Sequence, residues 1–169
     1  MTTLVDRWWP ETHTFYLPVG ECIITLQDVA HIYDLSTGDR AVRGRTDSSF
    51  VHLIDECMTN FGIPPSKNDH IRQIRYAEAL GTIESVQHYV RCHIFYLIGT
   101  TLFPDKSTSM VNCKYLPLLR NFLEIRSYSW GSTCLTYLYK SLCRALCYDT
   151  KEMDGPLVLL HVWTWERMP

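Results

Sequence analysis

The apolar and polar positions alternate at the start of the chain and then change period. Thr12 to Leu17 and Glu21 to Thr25 each alternate in β-forming residues, with Pro18-Val19-Gly20 between them. That pattern predicts a short β-hairpin. From Thr25 onward the spacing turns helical: Leu26, Val29, Ala30, Ile32 and Tyr33 form one stripe, and Thr25 with Asp28 makes a capping-box pair. Gly38-Asp39 is the expected stop.

Arg40 to Arg45 reads as a polar loop. A second helix follows from about Asp47, with Phe50, Val51, Leu53, Ile54, Cys57, Met58 and Phe61 at helical spacing, and Gly62 and Pro64-Pro65 end it. A more polar helix is predicted over Asp69–Leu80, with Ile71, Ile74 and Ala77 inward. Thr82 or Ser85 opens a long helix carrying Val86, Tyr89, Val90, Ile94, Leu97 and Ile98, with Gly99 near its end. Phe103 to Ser107 reads as a turn. Tyr115 to Ile125 reads as a shorter helix with Pro117 in its first turn. Ser129 or Ser132 caps the next helix, where Leu135, Leu138, Tyr139, Leu142, Leu146 and Cys147 share a face. Asp154-Gly155-Pro156 breaks it, and Leu157 to Arg167 is a closing helix apolar almost all round. The fold class expected is α-dominant (α+β): a multi-helix globular domain with a short N-terminal β-hairpin.

Composition narrows the class. With 169 residues and 46% hydrophobic content, the chain can bury a core without covalent staples. The net charge of −2, with both signs interleaved, creates no strong field for a polyanion. The seven cysteines are odd in number and evenly scattered, which argues for free thiols in a reducing compartment. The longest apolar runs fall far short of the roughly 20 residues of a membrane helix. A soluble intracellular protein with no membrane partner is expected.

The two ends carry dense motifs. Arg7-Trp8-Trp9-Pro10-Glu11-Thr12-His13-Thr14-Phe15 opens the chain and Trp163-Thr164-Trp165-Glu166-Arg167 closes it. Between them lie Pro18-Val19-Gly20-Glu21, Leu97-Ile98-Gly99, Tyr115-Leu116-Pro117, Tyr128-Ser129-Trp130-Gly131-Ser132 and Gly155-Pro156-Leu157. In this order they resemble the plant mobile domain. Departures are Trp9 and Tyr16, where arginine and histidine are common, and His31 to Ser36 in place of a Leu-Leu-Gly-Leu-Pro pattern. Family members usually extend beyond both blocks, so the expectation is a single domain over residues 1–169, truncated at both ends. The resemblance implies a nuclear protein of meristem maintenance, genome stability and transposon silencing, with a plant phosphatase-like protein as partner. It transfers no catalytic residue.

Enzymatic readings find little support in the residues. An aminotransferase needs a Schiff-base lysine with an acidic partner and a phosphate cradle. Lys67, Lys106, Lys114, Lys140 and Lys151 all lie in polar or turn-like surroundings with no such cradle. A phosphatase needs clustered metal ligands, but His13, His31, His52, His70, His88, His93 and His161 are scattered. His88 with Cys92 and Cys143 with Cys147 are each spaced i, i+4, as in a zinc site, but without a Cys-x-x-Cys knuckle. Core cysteine is the better reading, and Cys92-His93 point in different directions on a helix. No cofactor or metal is expected, and the chain is read as a non-enzymatic module.

Arg7 and Trp9, Arg40, Arg43 and Arg45, and Arg72 and Arg75 are candidate surfaces for a protein or for nucleic acid. Trp8, Pro10, Glu11, His13, Trp130, Gly131, Trp163, Trp165, Glu166 and Arg167 are read as structural motif. Trp8, Trp9, Trp130, Trp163 and Trp165 are expected to join the two termini in one core, with Arg7, Glu11, Glu166 and Arg167 pairing nearby. The leading reading is an interaction scaffold. The alternatives are a transposon-derived nucleic-acid-binding domain and an enzyme with an unrecognised pocket.

Overall fold

The computed structural model describes residues 2–38, 40–44, 50–62, 64, 81–104, 113–147 and 153–168. A four-residue helix α1 (Thr2–Val5) precedes strands β1 (Trp8–Trp9), β2 (Thr14–Leu17) and β3 (Gly20–Cys22). Helices α2 (Leu26–Tyr33), α3 (Phe50–Phe61) and α4 (Ile83–Leu97) follow, and a π-helix at Ile98–Leu102 extends α4. A 3₁₀ helix at Cys113–Leu119, then α5 (Phe122–Ile125), α6 (Trp130–Ala145) and α7 (Leu157–Arg167) complete the order. The class is α-dominant α+β, as the periodicity predicts. Arg45, Arg72, Arg75 and the Asp69–Leu80 helix lie outside the described residues, as do Asp47, Pro65, Lys67, His70, Asp105–Ser107 and Lys151.

The chain forms two compact units, one from residues 1–41 with 128–169 and the other from residues 42–127. In the first, the hairpin gains a strand that the pattern did not predict. Trp8 pairs with Phe15, and Phe15 with Cys22, in an antiparallel three-stranded sheet. Trp8 and Phe15 are buried and pack edge to face at 4.9 Å. Trp163 of α7 stacks on Phe15 at 5.6 Å, and Tyr139 of α6 lies 5.3 Å from Trp8. The Tyr139 hydroxyl donates to the Ile24 carbonyl, and the Trp8 indole N–H donates to Cys143 Sγ at 3.3 Å. Aromatic pairs of this kind add about 0.5–1.5 kcal/mol each beyond the area they bury.

The predicted capping box forms at Thr25 and Asp28, which is itself buried. Asp28 Oδ2 accepts from Thr25 N and Thr25 Oγ1, both at 2.8 Å, and Oδ1 accepts from Arg167 at 2.6 Å. Arg167 therefore forms its salt bridge with Asp28, not within the expected group of Arg7, Glu11 and Glu166. Burial raises the Asp28 carboxyl, but the Thr25 bonds and Arg167 outweigh it and hold it below the ordinary value. Helix α2 ends at Tyr33 rather than at Gly38. Asp34 enters the left-handed region at φ 51°, which aspartate tolerates, and Ser36 can then accept the Gly131 N–H at 3.0 Å.

The α6–α7 connection needs Gly155. Its φ is +106°, and a β-carbon there would meet Ser141 Oγ at 2.6 Å. Ser129 occupies the N-cap position of α6, although its side chain bonds Ser132 Oγ rather than a backbone N–H. Two apolar expectations fail here. Cys147 lies beyond the end of α6 and is exposed, and α7 buries only Leu159, Leu160 and Trp163 while Trp165 is 81% exposed. Eleven residues of helix supply a face to the core, not a buried cylinder.

In the second unit α3 runs to Phe61, and Gly62 terminates it at φ +70°. Thr82 caps α4 through a box with Ser85. The buried stripe of α4 is Cys92, Phe95 and Ile98, with Phe95 packed on Phe61 at 5.5 Å. Of the stripe expected through Val86, Tyr89, Val90, Ile94, Leu97 and Ile98, Ile98 is buried, Tyr89 and Ile94 are half-buried, and Val86, Val90 and Leu97 are exposed. Two apolar stripes share this helix, and periodicity alone cannot say which one meets Phe61. Pro117 also departs from expectation. It sits in the interior of a 3₁₀ helix, and Asn121 restarts an α-helix by capping Leu123, so Tyr115–Ile125 is two short turns. Buried Asn60 donates to the Glu56 and Leu116 carbonyls, and the Glu56 carboxylate takes Arg120 at 2.9 Å.

Candidate partner-binding cleft

The short sheet of the first unit has two unlike faces, because side chains alternate along each strand. Trp8 and Phe15 point into the core. Arg7, Trp9, Thr14, Tyr16 and Glu21 therefore share the opposite face. Registry sharpens this: Tyr16 lies opposite Glu21, Trp9 opposite Thr14, and the Tyr16 N–H donates to the Arg7 carbonyl at 2.8 Å. A cation, an aromatic ring and a carboxylate thus form one cross-strand row, with Trp9 on its flank.

This face borders an open cleft of about 490 Å³. Asp6, Arg7, Trp8, Trp9, Thr12, Tyr16 and Glu21 line it. Trp9 is 53% exposed and Tyr16 64% exposed. The loop joining β1 to β2 is held in place despite its exposure. His13 takes a left-handed φ of 56°, its N–H donates to the Trp9 carbonyl at 2.9 Å, and its ring stacks on Tyr139 at 5.6 Å. The Thr12 and Thr14 hydroxyls bond each other at 2.7 Å. A non-glycine residue in that region is strained unless its surroundings hold it.

The charges around the cleft stand apart from the ion pairs formed elsewhere. Among the described residues, Asp6, Arg7 and Glu21 enter no salt bridge, whereas Asp28, Glu56 and Asp154 each hold an arginine. Glu21 accepts only a long bond from Thr14, at 3.4 Å. The arrangement offers flat aromatic surface and unneutralised charge on a fixed backbone, which suits recognition. Among the described residues there is no group of three His, Cys, Asp or Glu side chains placed to hold a metal.

The structure brings Arg7 and Trp9 together at this cleft. Arg40 lies elsewhere in the same unit, its guanidinium 4.7 Å above the Tyr128 ring and its carbonyl accepting from Ser129. Arg43, in the second unit, is exposed. Of the residues read as structural motif, Trp8, Trp130, Gly131 and Trp163 are buried, with Trp130 edge-on to Tyr128 at 5.9 Å. His13 packs on Trp8 and Tyr139, while Pro10, Glu11, Trp165 and Glu166 are exposed. Trp9 and Trp165 therefore do not join the core, contrary to expectation. Asp6, Thr12, Tyr16 and Glu21 were not among the expected site residues. The signal was present in Arg7-Trp8-Trp9 and Thr14-Phe15-Tyr16, where burying the middle residue of each triplet turns its neighbours outward.

Cysteine chemistry is muted. Burial raises the Cys57 thiol to about 12, with Cys113 and Glu56 adding to it; burial alone raises Cys92 to about 11 and Cys134 to about 12. Such thiols carry no thiolate near neutrality. No described helix is long and apolar enough to cross a membrane.

Known proteins place the chain. It is 38% identical over 99% of its length to an Arabidopsis thaliana protein named Serine/threonine-protein phosphatase 7 long form homolog, covering 13% of that protein. It is 32% identical to Protein MAIN-LIKE 1 and 28% identical to Protein MAINTENANCE OF MERISTEMS, both from Arabidopsis thaliana, over 98% of this chain in each case. It spans 35% and 36% of those two proteins, so about a third of their length or less is represented. No solved structure matches it. The family model described as Plant mobile domain matches residues 1–169, the full sweep of motifs from the Arg7 block to the Trp163 block, and the chain belongs to the plant mobile domain family.

Proposed function

We propose that this chain is a non-enzymatic interaction module that docks a protein partner on the outer face of its three-stranded sheet. The supporting observation is the exposure of Trp9 and Tyr16 beside Arg7, on a sheet whose other face is the aromatic core. Trp, Tyr and Arg are the residue types that most often dominate binding energy at interfaces. Strand pairing and the His13 contacts preorganise them, which lowers the ordering cost of association. The family motifs run through both compact units, and we read residues 1–169 as one functional module.

Membership of the family supports placing this module in the nucleus, in the context of meristem maintenance, transposon silencing and genome stability, with a phosphatase-like protein as partner. Direct nucleic-acid binding is less favoured. Asp6 and Glu21 face the same cleft as Arg7, and Arg40 already lies against Tyr128.

Affinity purification from plant nuclei, with and without nuclease, tests this reading when the wild-type chain is compared with Trp9→Ala/Tyr16→Ala. Nuclease-resistant capture of a defined protein, lost in the double variant, is the expected result. Capture that survives the double variant, or that vanishes with nuclease, overturns it.

A further inference from the structure

The cleft's charges point to the chemistry of what it holds. Across the sheet the order is Arg7, Tyr16, Glu21, with Asp6 and Trp9 on the rim. Two carboxylates and one guanidinium leave an excess of negative charge beside two exposed rings. A ring face attracts a cation, with Trp the strongest, and a carboxylate next to the ring adds a charge-assisted acceptor. A phosphate or an acidic side chain would instead meet Asp6 and Glu21.

Resting on the docking reading above, we propose that the cleft selects a partner segment by a basic side chain, lysine or arginine. The cation lies against Tyr16 and Trp9 and reaches Glu21 and Asp6. Arg7, at the far end of the row, donates to a carbonyl or carboxylate of the same segment, which gives the segment a direction. The three charges lack ion-pair partners among the described residues, so binding breaks no internal salt bridge. Exposed pairs are screened, and the selectivity falls as salt rises.

The test is fluorescence polarisation with labelled hexapeptide pools holding one fixed position as Arg, Lys, Gln or Glu. A short single-stranded oligonucleotide is run beside them. The Arg or Lys pool should bind about ten-fold more tightly than the Gln pool, the equivalent of one decade in Kd. Asp6→Asn/Glu21→Gln, two surface changes that leave the core untouched, should reduce that ratio to about two-fold or less. Preference for the Glu pool, selectivity that survives this variant, tighter oligonucleotide binding, or no binding to any pool each overturns the proposal. The two readings fail separately. A nuclear partner lost with Trp9→Ala/Tyr16→Ala but retained by Asp6→Asn/Glu21→Gln preserves the docking face and removes the basic ligand.

Discussion

The two compact units are built by different means. The first closes by contacts between the ends of the chain: Trp8 to Cys143, Ile24 to Tyr139 and Asp28 to Arg167 are separated by 135, 115 and 139 positions. The second closes over shorter spans, with Glu56 to Arg120 at 64 positions and Asn60 to Leu116 at 56. The first core is centred on Trp8, Phe15 and Trp163, rings brought together from the two ends of the chain. The second packs Phe95 on Phe61 and Phe103 on Tyr115, and also buries the Glu56 carboxylate and the Asn60 amide. The first therefore depends on large apolar side chains meeting across the whole sequence. The second adds to its apolar packing a buried polar group, in which Glu56 holds Arg120 and the Asn60 amide N–H donates to two carbonyls. A site mounted on the first inherits its rigidity from that aromatic stack.

The sharpest way to break this comparison is at Trp163, 2% exposed and stacked on Phe15. Trp163→Ala should cost about 3–5 kcal/mol in chemical denaturation. It should also strip hydrogen-exchange protection from β2 and α7. The Trp163 Nε1 is buried with no acceptor among the described residues, so Trp163→Phe removes an unsatisfied donor along with part of the ring. It should therefore cost clearly less than alanine. Equal losses for the two variants would sink the stacking account.

In the second unit the corresponding lesion is polar. Arg120→Ala strands the Glu56 carboxylate, 5% exposed, with Asn60 and His52 as its remaining neighbours. Breaking a fully buried pair costs more, but Arg120 is half-exposed, so about 2 kcal/mol is expected. Glu56→Gln in the Arg120→Ala background should recover part of the loss, since no charge is then left buried. A double-mutant cycle by urea denaturation measures the coupling. A cycle that closes with no coupling would mean the pair is incidental.

The cap that ties α2 to Arg167 is expected to matter less. Thr25→Ala removes the hydroxyl of the capping box and should cost about 1 kcal/mol. Asp28 adds a pH dependence. Its folded carboxyl lies below the ordinary value of 3.8, so its contribution is fully present above that value and is lost as pH falls through the folded one. The stability gap between wild type and Asp28→Asn should be full at about pH 7 and narrow below about pH 4. Urea midpoints across that range decide the matter, and a gap independent of pH would exclude the carboxylate as its source.

What was legible in the chain follows the same division. Local chemistry read well: the Thr25–Asp28 box, the Gly62 stop, the Thr82 cap and the Pro18-Val19 turn depend on neighbours within a few positions. Choices between equivalent local options did not. Helix α4 carries two apolar stripes, and only contact with Phe61 decides for Phe95 over Val86 and Val90. Helix α2 stops early because Ser36 is needed to receive Gly131, a partner far along the chain. Strand β1 has two residues, too few for a period to show, yet it turns Arg7 and Trp9 outward and so makes the cleft.

The smallest effect is expected two residues from the largest. Trp165 belongs to the same Trp-Thr-Trp motif as Trp163, and sequence treats the two alike. On α7, however, a step of two residues turns a side chain about 200° around the axis, to the opposite face. Trp165 is 81% exposed, and Trp165→Ala should change stability by about 0.5 kcal/mol or less. The same denaturation experiment that measures Trp163→Ala checks it, so the pair is internally controlled. A loss at Trp165 comparable to that at Trp163 would mean that both faces of α7 are packed, and the one-sided attachment of this helix would have to be abandoned. A small loss would leave Trp165 as a large ring held in water without a structural role.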